Sequence, residues 1–331
     1  MALALESDPE FEMILGMATR DPSIALERTD FVHADQTYSI VSRIVRATQP
    51  DTIVHTFLVT DSTKASGRAL HEINVIGTMN LLAAAGQAGS PVRQVIVKSS
   101  TLVYGASSTD PAWFSEEAVR AGRPSTRVER SLVEVEELVR DFAEDNPSTV
   151  VSLLRFANVL GTDIVTPIST NLSSRLCPSV AGFDPLLQFV EEDDVVRALE
   201  HVTRHRIPGI YNVAGSGKLP WSEIADLCGT RLLPLSPVAT SLAAAPLIRA
   251  GLIEFPPELH SLLRFGRGVD TSRIAATGFE HRYTTAGAVD SFIRAVRLRR
   301  SVGRAPASYT YEHEVEQFFR RSPSAIRPVE S

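Results

Sequence analysis

Long apolar runs are missing from this chain: no stretch reaches the roughly 18 residues that would argue for a membrane span. Cysteine is scarce. Cys177 and Cys228 are the only two; they lack metal-ligand spacing and read as buried thiols in a reducing compartment. Basic clusters are few, namely Arg297-Leu298-Arg299-Arg300 and Arg320-Arg321, and the net charge is −6. Nucleic-acid binding is therefore not suggested. The opening Met1-Ala2-Leu3-Ala4-Leu5-Glu6 lacks the basic region and cleavage site of a signal peptide, so the expected location is cytoplasmic. Internal repeats and low-complexity segments are absent. What is present is an ordinary globular composition, 44% hydrophobic and 22% charged over 331 residues. That length allows one large α/β domain or a nucleotide-binding domain with a smaller partner.

Short apolar runs alternate with helical spacings through the first half, which is the pattern of βαβ units and a parallel sheet. Residues 12–17, 29–35, 52–57 and 149–156 read as strands. Residues 39–48 carry Ile40, Val41, Ile44 and Val45 at helical spacing. Residues 74–86 predict a helix with Val75, Met79 and Leu82 on one face, and residues 131–143 a further helix ending near Asn146-Pro147. After Gly161 the rhythm breaks into Pro- and Ser-containing short apolar runs as far as about Gly266. Within it, residues 237–265 read equally as an apolar lid or as a buried packing helix. His201 and His205 stand four apart on a helix, but no third ligand is evident, so a zinc site is not expected.

Particular segments carry more than periodicity. Val95-Ile96-Val97-Lys98-Ser99-Ser100-Thr101-Leu102-Val103-Tyr104-Gly105 is an apolar strand running into hydroxyl residues and a Tyr-Gly turn. It resembles the catalytic-serine segment of the extended short-chain dehydrogenases, the NAD-dependent epimerase/dehydratase family. Asn74-Val75-Ile76-Gly77-Thr78-Met79-Asn80-Leu81-Leu82 is similar to that family's Asn-Val-x-Gly-Thr-x-Asn-Leu-Leu helix. Leu154-Arg155-Phe156-Ala157-Asn158-Val159-Leu160-Gly161, Gln188-Phe189-Val190-Glu191-Glu192-Asp193-Asp194-Val195, Gly209-Ile210-Tyr211-Asn212-Val213-Ala214-Gly215 and Asp270-Thr271-Ser272-Arg273-Ile274 come after it in family order.

The resemblance implies an α/β, Rossmann-like doubly wound parallel sheet with a smaller C-terminal substrate region. Residues 1–160 would form the dinucleotide-binding domain, truncated at its start. Residues 161–300 would form the substrate-side region, interleaved with the sheet, and 301–331 a tail. The implied cofactor is NAD or NADP. Ser100 would be the catalytic serine that holds a substrate carbonyl or hydroxyl, with Thr101 and Asn158 as further substrate contacts; the plainer reading of Ser100 is a strand-end serine bonded locally. Asp35 would receive the adenine amino group or else cap a strand end. Thr56, Phe57 and Leu58 would run along the pyrophosphate and ribose, and Asn74 would support the sheet beside the cofactor. Tyr104 would pack beneath the site. A small-molecule ligand is implied, and so is pairing of two helices into a homodimer or a heterodimer with a paralogue.

The departures from the family pattern are as informative. Where the family carries Tyr-x-x-x-Lys, this chain reads Val128 and Leu132, neither of which has a titratable atom, so the usual proton relay cannot operate there. Glu129 and Arg130 are near, but each residue turns about 100° around a helix from the last, and both read as part of a solvated face. The first strand and its glycine fingerprint, whose amides would meet a pyrophosphate, are not in this chain. Ala2 to Glu6 reads as the helix that comes after that loop, so either the start lies upstream or the protein is a remnant. Ala18 stands where NAD-selective members place an acid, and Arg20 is close behind it; this tilts the expectation towards NADP, unless Arg20 is only a loop charge. Leu187 replaces the arginine that grips the diphosphate in sugar-nucleotide epimerases. The resulting expectation is a weak or inactive family member. Its rivals are an active oxidoreductase or epimerase with a different proton donor, and a structural or regulatory subunit of an active paralogue.

Overall fold

The computed structural model describes residues 1–22 and 24–302; the tail expected over 301–331 lies outside them, save the end of a helix at Val302. The chain opens with α1 (Ala2–Glu6), β1 (Ile14–Ala18), β2 (Thr29–His33), α2 (Tyr38–Thr48), β3 (Thr52–His55), α3 (Gly67–His71), α4 (Gly77–Ala85) and β4 (Gln94–Ser100). It continues with α5 (Arg127–Asp145), β5 (Val150–Phe156), β6 (Asn158–Leu160), α6 (Pro167–Ser173), β7 (Leu176–Val180), β8 (Leu186–Leu187), β9 (Phe189–Glu191), α7 (Glu192–His205) and β10 (Gly209–Val213). The last elements are β11 (Leu219–Pro220), α8 (Trp221–Cys228), β12 (Arg231–Leu235), α9 (Thr240–Arg249), α10 (Pro257–Phe265), α11 (Ser272–Ala275) and α12 (Thr285–Val302).

The central sheet has the order β10-β5-β4-β3, every pair parallel, with β4 and β5 in register from Gln94↔Val150 to Ser100↔Phe156. β1 and β2 form a separate parallel pair. Smaller pairs, β6 with β9, β7 with β12 and β8 with β11, lie in the later part of the chain. β4 shows why the sheet is covered on both faces. Val95 and Val97 join the cluster made with α4 and α5, whereas Ile96 joins Leu154, Phe156 and α7's Val195, Leu199 and Val202. A strand buried on both sides reads as a near-continuous apolar run, which is how residues 95–97 read in the sequence. A third cluster gathers Leu160, Leu187, Trp221, Ile224, Leu262 and Phe292.

The expected helix at 74–86 is real, and Leu82 is buried and Val75 packs against the main cluster as the spacing predicts, but Met79 turns outward. α3 runs into a π turn at Glu72–Ile76 before α4 begins. A π turn inserts an extra residue per turn and so rotates the helix beyond it. Met79 is left 44% exposed, while Ile73, Asn74, Thr78, Leu81 and Leu82 are buried. Gly77 then allows a close approach, since a Cβ there would come within 3.0 Å of the Phe57 ring.

Candidate functional site

The C-terminal ends of β3, β4 and β5 open into one cavity of about 1810 Å³. Ligands of open parallel sheets bind at such strand ends. Thr56, Phe57 and Leu58 after β3, Lys98 to Ser100 at the end of β4, and Phe156 to Val159 beyond β5 line it. So do Gly16 to Arg20 of the β1 region, and Glu258, Leu259 and Leu262 of α10. In the segment 237–265, Leu259 and Leu262 line the cavity, and Leu247, Ile253 and Leu262 pack in the third apolar cluster, as a packing helix would. Leu242 remains 79% exposed.

Ser100 ends its strand in extended conformation and caps the 3-10 turn Thr101–Tyr104, its Oγ accepting the Leu102 N–H at 3.2 Å. That bond uses one lone pair and leaves the hydroxyl proton available to a ligand. The local role and the cavity-facing position therefore coexist. Asn158 also lines the cavity and donates to the Gln188 carbonyl at 3.5 Å. Thr101 does not line it. The residue is buried in the turn, where its carbonyl accepts from Arg267 at 2.7 Å.

The expected cofactor residues separate in the same way. Thr56, Phe57, Leu58 and Arg20 line the cavity; Asp35 and Asn74 do not. Asp35 accepts the Thr37 N–H at 2.9 Å, an Asx turn just ahead of α2 that bonds the side chain locally. Asn74 is fully buried and works on the backbone: its Oδ1 accepts from Val59 N at 2.7 Å, and its Nδ2 donates to Val59 O at 2.8 Å and to Ser131 Oγ at 3.0 Å. It ties the loop after β3 to α5.

Val128 and Leu132 are both 0% exposed and belong to the main apolar cluster. Glu129, expected on a solvated face, is instead 2% exposed. Its Oε2 accepts from Arg120 at 2.5 Å, from Ser125 N at 2.8 Å and from Ser125 Oγ at 3.0 Å. The loop before α5 folds over the first helical turn and supplies the cation, which periodicity along the helix cannot foresee. Arg130 is exposed.

Tyr104 packs beneath the strand ends, stacked on Phe114 at 4.6 Å. Its hydroxyl donates to Asn212 Oδ1 at 2.8 Å and accepts from Arg155 Nη1 at 2.7 Å. Burial raises its pKa, with Arg155 acting in the opposite sense. Arg155 in turn grips Glu136, with Nη2 donating at 2.6 Å and Nε at 3.0 Å, while Ser99 Oγ donates to the same carboxylate at 2.8 Å. This buried ion pair stiffens the floor of the site. Its signal in the sequence is weak, an arginine inside an apolar strand. Lys98 is a site residue that motif reading does not single out, although its signal is plainer: a charge at the end of the apolar run that leads to Ser99-Ser100.

Leu187 is fully buried in the third cluster and pairs with Leu219. Among the described residues no group of His, Cys, Asp or Glu is placed to hold a metal ion, and no helix is long and apolar enough to cross a membrane.

Residues 4–214 match the NAD dependent epimerase/dehydratase family. An uncharacterized protein of Mycobacterium bovis is 32% identical over 279 residues, covering 83% of this chain and 74% of its own length. A UDP-glucose 4-epimerase of Mycoplasma genitalium is 30% identical over a shorter stretch, 37% of this chain and 35% of its own. Among solved structures, a dTDP-glucose 4,6-dehydratase double mutant from Streptomyces venezuelae, with NAD bound, superposes with a TM-score of 0.68 at 20% identity, covering 91% of this chain and 92% of that one. The UDP-glucose 4-epimerase of Thermotoga maritima, with UDP-glucose, gives 0.68 at 15% identity over 91% and 96%.

Proposed function

Because this chain belongs to the NAD dependent epimerase/dehydratase family, we propose that it binds a nicotinamide dinucleotide and a small ligand at the strand ends. By the family's standard hydride and proton route it turns them over weakly or not at all. The observation that carries this reading is the burial of Val128 and Leu132 in an apolar core at the two relay positions. Two groups near those positions are committed elsewhere: the Tyr104 hydroxyl to Asn212 and Arg155, and Glu129 Oε2 to Arg120 and Ser125.

The cavity has room for a dinucleotide and lies at the strand ends, and solved structures of the same fold that hold NAD support that assignment. Thr56, Phe57 and Leu58 would lie along it, with Arg20 near its ribose end. When bound, it would supply the hydride acceptor. The chain's own contribution is to orient: Ser100 offers its hydroxyl proton to a ligand oxygen, and Asn158 stands beside the same space.

The test is a titration with NADH and with NADPH, together with an epimerase assay on UDP-sugars. Binding is expected, with NADPH favoured if Arg20 pairs with a 2′-phosphate. Turnover should fall about 100- to 10,000-fold below that of an active relative, the usual worth of a positioned acid/base. Robust turnover that survives Glu129→Gln and Tyr104→Phe would refute the missing relay. Turnover abolished by Tyr104→Phe would favour the active-enzyme reading. A second reading, a subunit that pairs with its own copy or a paralogue, is favoured by the exposure of Ile76 and Met79 on the α3–α4 surface. Binding of neither cofactor would move the weight there.

A further inference from the structure

Lys98 is the one residue of β4's buried run whose chemistry the fold does not use. The strand alternates: Val95, Val97 and Ser99 face α5, and Ile96, Lys98 and Ser100 face the other way, where Ile96 is sealed by Leu154 and Phe156. Lys98 therefore extends along the wall of the cavity, on the same face as Ser100. Its ammonium lies 6.0 Å from the centre of the Phe156 ring. Among the described residues it has no hydrogen bond and no ion pair.

Three of the carboxylates that also line the cavity, Asp61, Asp163 and Glu258, each accept from another group. Asp61 accepts from Thr63 N at 2.9 Å and from Thr63 Oγ1 at 2.7 Å, and lies 3.9 Å from Lys64. Asp163 accepts from Arg299 at 3.1 Å, and Glu258 from Ser62 at 2.9 Å. Burial lowers the Lys98 pKa, with no opposing carboxylate to restore it. A partly desolvated cation without a counter-charge is costly. The adjacent Glu136–Arg155 pair shows how this protein settles a buried charge when its own residues can do so. At Lys98 the described residues supply no such partner, and a ligand anion in the cavity would provide one.

We propose that Lys98 anchors an oxyanion, a carboxylate or a phosphate, on the small ligand of this cavity, and so holds that ligand's acidic group beside the Ser100 hydroxyl. The assignment rests on the ligand-binding reading above and narrows it to acidic ligands. A neutral ligand would leave the ammonium unpaired and gain nothing from it.

The experiment tracks the Lys98 side-chain signal by NMR in selectively labelled protein. Glucuronate, glucose 1-phosphate and glucose are added in turn at millimolar concentration. One or both acids should shift the signal and raise the Lys98 pKa, and glucose should do neither; whichever acid acts identifies the oxyanion. Lys98→Met should weaken binding of that acid at least about tenfold, the loss expected for a charge-assisted hydrogen bond, and Lys98→Arg should retain it. Lys98→Met should also melt higher than wild type without ligand, which shows that it folds. Absence of a shift with either acid, or equal acid binding by wild type and Lys98→Met, overturns the proposal. NADH titrations of the same proteins keep the two claims apart. NADH binding without acid binding removes the anchor and leaves the dinucleotide reading standing, and the reverse result removes the dinucleotide alone.

Discussion

At the scale of single residues, His55 shows how a buried titratable group reads through its partners. Thr78 has one hydroxyl proton, and it goes to the Asn74 carbonyl at 2.5 Å. The 2.8 Å contact between Thr78 Oγ1 and His55 Nε2 must then be donated by the imidazole. Nδ1 is left bare and buried, without a partner. A second proton would put a charge there with no acceptor, so burial, aided by the nearby Lys98 ammonium, pushes the His55 pKa down to about 4. A folded-state pKa below the unfolded value means that the unfolded chain takes up the proton first. Stability is therefore present above about pH 6.5 and is lost as pH falls towards 4, by on the order of 3 kcal/mol. Denaturant unfolding of wild type and His55→Gln across that range should show a steeper acid loss in wild type. Parallel curves would mean that the imidazole does not stay neutral in the fold.

At the scale of elements, α5 is the clearest case of local sequence and tertiary partners acting together. Thr126 ends the preceding loop in extended conformation and its Oγ1 accepts the Glu129 N–H at 3.1 Å, a standard N-cap. The Glu129 side chain does not return to the cap but turns to Arg120 and Ser125. Thr126→Ala should cost about 1 kcal/mol, read as a lower urea midpoint with an unchanged slope. A null result would mean that the Arg120–Glu129 pair fixes the helix start by itself. The π turn ahead of α4 belongs to the same scale. Residues 74–86 announce a helix and place Val75 and Leu82 inward correctly, but the outward turn of Met79 accompanies a widened turn that simple spacing does not encode.

For the whole molecule, the division of strands predicts an uneven distribution of stability. β4 has a parallel neighbour on each side and apolar layers on both faces, whereas β1 and β2 pair only with each other among the described residues. Local opening is easiest where buried contacts and neighbouring ladders are fewest. Amide hydrogen exchange should be slowest in 94–100 and 150–156 and clearly faster in 14–18 and 29–33. Uniform protection across all four strands would show that β1 and β2 open only with the whole domain.

By itself the sequence determined the parallel α/β architecture, because a strand buried on both faces must be apolar throughout and a helix on a sheet must be apolar on one side. It also determined the absence of a titratable group at Val128 and Leu132, since no folding can give a hydrocarbon side chain a proton to transfer. The positions of Ser100, Asn158, Thr56, Phe57 and Leu58 were legible because short motifs tie them to strand ends. Only the tertiary structure decided which polar residues near those ends face the cavity and which are consumed in holding it. Asp35, Asn74, Thr101, Tyr104 and Glu129 found partners on neighbouring turns, loops and strands, in several cases far along the chain. Lys98 did not. A polar residue's role depends on whether its hydrogen-bonding capacity is satisfied, and that is settled by groups brought together in space rather than by neighbours in sequence.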